Sequence, residues 1–222
     1  RANGRTVLLD CGLIQGGRED EAHNDDAFPF DAAAVDAVIL SHAHLDHAGR
    51  LPLLAKRGFA GTIHTQNATR ALMEILLNDA ADIEMSVVRR ENRYRSEHGR
   101  RLAEPLFLRD DVAMALRLTR GHGYDTWFDV AEGIRARFHD AGHIMGSAVV
   151  EVEIAEAGVR RTLVFTGDLG QYDSPILRDP VTPPRADLVL METTYGDRNH
   201  RDRAASLEEF GDVIRRARRE RG

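Results

Sequence analysis

The chain has a single cysteine, so Cys11 finds no partner for an internal disulfide. Its setting in the apolar run Val7-Leu8-Leu9-Asp10-Cys11 predicts a buried thiol and favours the cytoplasm. No uninterrupted apolar run approaches the ~20 residues of a membrane span, and no basic stretch followed by an apolar core opens the sequence. The expectation is a soluble, unexported protein with no membrane partner. Positive charge is also short. The net charge of −6 gives no support for coating nucleic acid by bulk attraction, which usually needs a basic excess. Any nucleic-acid role must therefore rest on a local site. Internal repeats and low-complexity tracts are missing as well.

What is there suffices for a packed core: 222 residues, 42% of them apolar. Thr6 to Asp10 reads as a strand preceded by Asn3-Gly4, a pair that favours a hairpin turn, with the partner arm expected outside the chain. Val35 to Leu40 has the β-branched content of a buried strand and runs straight into Ser41-His42-Ala43-His44. A short helix around Leu51 to Leu54 and a strand from Thr62 to Thr65 follow. Apolar spacing predicts an amphipathic helix from Asn67 to about Asn78, capped by Thr65 or Asn67. Residues 82–106 read as an exposed helix or mobile excursion, and Asp110 to Leu116 as a short helix. Strands are then predicted at Thr126 to Val130, Ile134 to His139, Ala148 to Ile154, Arg161 to Thr166 and Asp187 to Met191, before a helix from Leu207 to Arg219. This order suits a layered α/β sandwich better than a regular βαβ alternation.

The chemistry concentrates in His42-Ala43-His44-Leu45-Asp46-His47. Three imidazoles and a carboxylate within six residues are the donor types that a divalent metal takes. Composition alone yields on the order of 0.002 chance matches to this pattern, so metal binding is the reading. In an extended segment His42 and His44 project to one side. Asp46 and His47, as the chain turns into a helix, are expected to face a second position about 3.5–4 Å away, the spacing of two-metal hydrolases. His143 and Asp168 sit at glycine-flanked turns after strands, where either residue alone more often forms a turn than a ligand. The remaining histidines, His23, His64, His98, His122, His139 and His200, are expected to play no ligand role.

The sequence resembles the metallo-β-lactamase superfamily, in its β-CASP branch of nucleic-acid-processing nucleases. Five stretches carry the resemblance: Leu8 to Gly12, His42 to His47, Asp140 to Ser147, Phe165 to Gly170, and Glu192-Thr193-Thr194-Tyr195-Gly196-Asp197-Arg198. It implies an αββα sandwich that is partial here, with residues 1–198 as the core and 199–222 as the start of the β-CASP region. It also implies two zinc ions, with His42, His44 and His143 on one, Asp46 and His47 on the other, and Asp168 bridging them. Asp10 would orient a ligand. Asp46 would orient a metal-bridging hydroxide and accept its proton. Glu192 would support a histidine acting on the leaving group.

The implied function is zinc-dependent hydrolysis of RNA phosphodiesters, endonucleolytic or exonucleolytic, on single-stranded RNA, with DNA the lesser substrate and a homodimer a possible state. Competing readings are a small-ester or thioester hydrolase of the glyoxalase kind, against which the Glu192 to Arg198 segment argues, and a non-catalytic binding module. β-CASP enzymes also insert a cap after that segment and return with further histidines. This chain is accordingly expected to be a partial enzyme with a weaker second zinc site and little nuclease activity by itself.

Overall fold

The computed structural model describes residues 1–182 and 185–220. They divide into two units, Arg1–Met191 and Glu192–Gly222. In the first unit, β1 (Val7–Leu9), β2 (Ala37–Ile39), β3 (Thr62–Gln66) and β4 (Thr119–His122) form an all-parallel sheet in that order. The second sheet, β5 (Phe128–Ala131), β6 (Ile134–Asp140), β7 (Ala148–Glu156), β8 (Val159–Phe165) and β9 (Leu188–Leu190), is antiparallel up to β8, with β9 parallel to β8.

Residue alternation along the strands explains the layering. In and just after β2, Val38 and Leu40 point into a core shared with the helices, whereas Ile39 points into the core between the sheets; all three are fully buried. β1 divides the same way, with Leu8 on the helix side and Val7 and Leu9 between the sheets. From the second sheet Ile134, Ala136, Phe138, Ala148, Val150 and Val152 enter the inter-sheet core, while Val149 and Val164 face outward to a smaller cluster with Ala141. A strand covered on both faces needs the near-continuous apolar sequence that Val35 to Leu40 supplies.

The helices are α1 (Arg18–Glu21), α2 (Leu45–Ala48), α3 (Leu51–Lys56), α4 (Asn67–Glu97), α5 (Arg109–Leu118) and, in the second unit, α6 (Arg203–Glu220). α3 carries Pro52 in its first turn, where no intrahelical N–H is lost, and stops before Gly58 at φ +101°. α4 anchors through Thr69, Met73, Leu77 and Ala81, four residues apart. It runs far beyond Asn78, with Ala81 and Val88 buried, Glu91 paired with Arg95 one turn on and Asp82 paired with Arg109 of α5. Residues 82–97 are therefore helix, and only the segment after them is irregular. Its cap is Gln66, whose side chain accepts from the Ala68 N–H, in place of the expected Thr65 or Asn67.

One further expectation, the buried Cys11 thiol, is corrected. The Asn3-Gly4 turn forms, with both residues at positive φ and Ala2 bridged antiparallel to Arg5. It docks on the second sheet through Asn3 bonds to the Ala155 and Glu132 carbonyls, and β1 pairs in parallel with β2. Cys11 is only partly buried, packed on the edge of the helix-side core. Among the described residues no helix is long and apolar enough to cross a membrane.

Candidate metal centre

The fold brings together side chains from four separate stretches. β2 ends at Ile39, and Leu40 to His44 continue beyond its carboxyl end before α2 begins. α2 spans only Leu45–Ala48, so His47 turns back beside His42, with Asp46 next to His47. His143 arrives on the loop between β6 and β7, which is closed by Gly142 and Gly146 at φ +66° and +84°. Its shape is held by Ser147 Oγ, which accepts from the N–H groups of His143 and Ile144. Tyr124 donates to the Ser147 carbonyl at 2.8 Å, and Thr69 donates to that of Gly146 at 2.7 Å. Asp168 follows β8 after Gly167.

Two donor groups result. In the first, His42, His44, His143 and Asp168 each offer one ligand atom, all within 4.8 Å of one another. His42 Nε2 lies 3.0 Å and His143 Nε2 3.1 Å from His44 Nδ1, and Asp168 Oδ2 is 3.6 and 3.4 Å from the same two Nε2 atoms. The second group is Asp46, His47 and Asp168. Here His47 Nε2 is 3.1 Å from Asp168 Oδ1 and 3.7 Å from Asp46 Oδ2. Asp168 thus turns one oxygen to each group. Three imidazole nitrogens crowded on one point repel unless a cation or protons lie between them, so the donor set fits a divalent metal.

Asp10 sits behind the donors at φ +58°, a left-handed conformation that Asp tolerates better than most residues. Its Oδ2 accepts from His47 Nδ1–H at 2.6 Å and from the Ser41 hydroxyl at 2.7 Å, and its Oδ1 accepts from the Ser41 N–H at 2.7 Å. Burial pushes the Asp10 carboxyl up, against the opposing pull of His47 and Ser41. On His47 burial acts downward, but hydrogen bonds to Asp10 and Asp168 outweigh it and raise the imidazole to about 10. Asp168 is held down to about 2, chiefly by its hydrogen bond with His47. Burial and the neighbouring His47 charge drive His42 down to about 3. The Cys11 thiol is pushed by burial up to about 12, which leaves it protonated and no nucleophile.

Every expected metal ligand is therefore in one of the two groups, and Asp10 contacts His47. Glu192 belongs to the other unit. The histidines set aside have other partners: His64 Nδ1 faces His122 Nε2 at 3.0 Å, and His139 lies between Asp125 and Glu151. Sequence reasoning assigned no role to Ser41, Thr69, Tyr124 and Ser147. Ser41 left a signal in its place directly before His42, and Ser147 in closing the stretch Asp140 to Ser147, whose own amides it holds. Thr69 and Tyr124 act on backbone carbonyls of a distant loop, which no local pattern announces.

The family model described as "Metallo-beta-lactamase superfamily" matches residues 1–218. Among curated proteins, "Ribonuclease TTHA0252" of Thermus thermophilus is 43% identical over 213 residues, 96% of this chain and 44% of that protein. "Transcription termination factor FttA" of Methanosarcina mazei is 34% identical over 198 residues, 87% of this chain and 28% of that protein. The chain thus spans less than half the length of these relatives. Among solved structures, a Cronobacter sakazakii metallo-β-lactamase with a HARLDQ motif aligns over 79% of this chain and 56% of its own, at 19% identity and a TM-score of 0.45. The names of the curated relatives lie on the side of the superfamily that the segment Glu192 to Arg198 resembles.

Proposed function

We propose, from the premise that the chain belongs to the metallo-β-lactamase superfamily, that it is the metal-binding core of a hydrolase cleaving phosphodiester bonds of single-stranded RNA. The observation that carries this reading is the pair of donor groups sharing Asp168, an arrangement suited to two metal ions. The ribonuclease and termination-factor names of the relatives support RNA as the substrate class. In this reading residues 1–198 form the core and 199–222 open the β-CASP region.

Zinc is the metal we assign, because the first group offers three imidazole nitrogens and one carboxylate, a set that zinc favours over magnesium or calcium. His42, His44, His143 and Asp168 would hold one ion, and Asp46, His47 and Asp168 the other. When bound, the ions supply positive charge that polarises a phosphoryl oxygen and acidifies a water. The protein's own part is to place and neutralise. Asp46 is more exposed than His47, with 40% of its side chain accessible, so its second carboxylate oxygen can accept a proton from an attacking water. Asp10 keeps the His47 proton on Nδ1, leaving Nε2 for the site. Charge neutralisation by the site also removes the need for a basic surface around the scissile bond, in keeping with the net charge of −6. Glu192 is assigned, by the family resemblance, the support of a histidine that acts on the leaving group.

The test combines metal analysis of the purified protein with cleavage assays on single-stranded RNA, single-stranded DNA and a thioester. Zinc is expected, together with weak cleavage of RNA by this chain alone that is lost on chelation. Turnover of the thioester alone would replace the proposal with the small-ester reading.

A further inference from the structure

We infer that Ser41 is a positioning residue whose hydroxyl relays hydrogen bonding from Asp10 to His42, so that one carboxylate orients a ring in each donor group. The inference rests on the reading of the cluster as a metal centre. The geometry is specific. A serine hydroxyl has one proton, and Ser41 Oγ lies 2.7 Å from Asp10 Oδ2, an acceptor. With that proton committed, the contact at 3.1 Å between Ser41 Oγ and His42 Nδ1 requires His42 to be the donor. His42 then carries its proton on Nδ1 and turns an unprotonated Nε2 toward His44, His143 and Asp168. His47 is fixed the same way without an intermediary, its Nδ1–H donating to the same Asp10 oxygen.

The surroundings leave Ser41 little alternative. Ser41 and His42 are fully buried, and a β-carbon on Gly167 would fall 2.7 Å from Ser41 Cβ and 2.8 Å from its Oγ. The loop that delivers Asp168 therefore crosses Ser41 with a residue lacking a side chain, and no space for a substituting water remains on that side. The Ser41 N–H is held by Asp10 Oδ1, and its carbonyl accepts from Ala148 of β7, so backbone and hydroxyl are both fixed. Outer partners of this kind set ring tautomer and angle.

The experiment reads the imidazole tautomers of the metal-free full chain by nitrogen-15 NMR and then titrates zinc. Wild type should show His42 protonated on Nδ1 and bare on Nε2. Ser41→Ala should shift His42 toward mixed tautomers while His47 keeps its Nδ1 proton, and should weaken the tighter zinc site by about 10–100-fold. Thr65→Val removes another buried hydroxyl, one that donates to the Leu40 carbonyl, and should leave both rings unchanged. His42 protonated on Nε2 in the wild type, or an equal shift in both variants, would overturn the inference. If Ser41→Ala does not fold, the wild-type tautomer decides alone. A chain with the expected tautomers that binds no zinc would remove the metal reading and leave the relay standing.

Discussion

Gly170 is packed so closely on Gly142 that a β-carbon there would lie 1.8 Å from the Gly142 carbonyl oxygen and 2.6 Å from the His143 nitrogen. The Gly170 N–H also donates to the Ala141 carbonyl at 2.8 Å. These contacts clamp the loop bearing Asp168 onto the loop bearing His143, so the bridge and the third imidazole of the first group are set relative to each other by backbone against backbone.

Gly170→Ala should therefore separate the two loops. We expect a loss of stability of about 1–3 kcal/mol or more, as for other overpacked sites, together with loss of metal from the first group. Gly123→Ala, where a β-carbon meets nothing within 4 Å, is the control and should change neither property. Denaturant unfolding and metal content of both variants decide the matter.

His44→Ala should remove most of the bound metal, because His44 Nδ1 is the point on which His42 and His143 converge. His98→Ala should not, since that ring lies at the exposed end of α4, bonded to the Tyr94 carbonyl. Equal losses in the two variants would refute the ligand assignment.

Asp168→Asn should cost more metal than Asp10→Asn. The first change weakens an oxygen turned to each donor group, whereas the second alters a carboxylate that touches His47 and Ser41. Asn tolerates the left-handed backbone of residue 10, so the comparison tests the side chain and not the turn. The reverse order of metal content would reject the bridging role.

Acid should destabilise the protein through His64. Burial, reinforced by His122 and Arg120, lowers this imidazole from 6.5 to about 4. A lowered histidine binds fewer protons folded than unfolded, so its contribution is fully present above about pH 6.5 and disappears as pH falls through 4. His64→Phe keeps an aromatic ring beside His122 and Phe128 but cannot titrate. Its stability should fall less steeply than that of wild type over this window in denaturant titrations. Parallel slopes would count against the assignment.

The strand that carries the histidines was legible in the sequence because burial on both faces demands the unbroken apolar run from Val35 to Leu40. The His42 to His47 cluster was legible because its donors are adjacent. His143 and Asp168 were not visible as ligands from their own surroundings, since a histidine or aspartate between glycines is also what a tight turn requires; the family resemblance pointed to them. β4 was missed for a different reason. Thr119-Arg120-Gly121-His122 has weak strand propensity and becomes a strand through parallel pairing with β3, more than fifty residues earlier. The length of α4 was hidden by its charged half, where Val88 is buried among densely charged neighbours and the apolar spacing of the first half is not continued.

The distance along the chain between partners at the centre has a consequence for folding order. His44 and His143 are 99 residues apart, and Asp10 meets Ser41 and His47 across 31 and 37 residues. Contacts of such high sequence separation form late, after the loop-closure entropy of both sheets has been met. A nascent or half-folded chain therefore has the adjacent donors His42, His44 and His47 but no closed first group. Ligation by the complete set would act as a latch on sheet docking, slowing unfolding more than it speeds folding, and refolding with and without metal would separate the two rates.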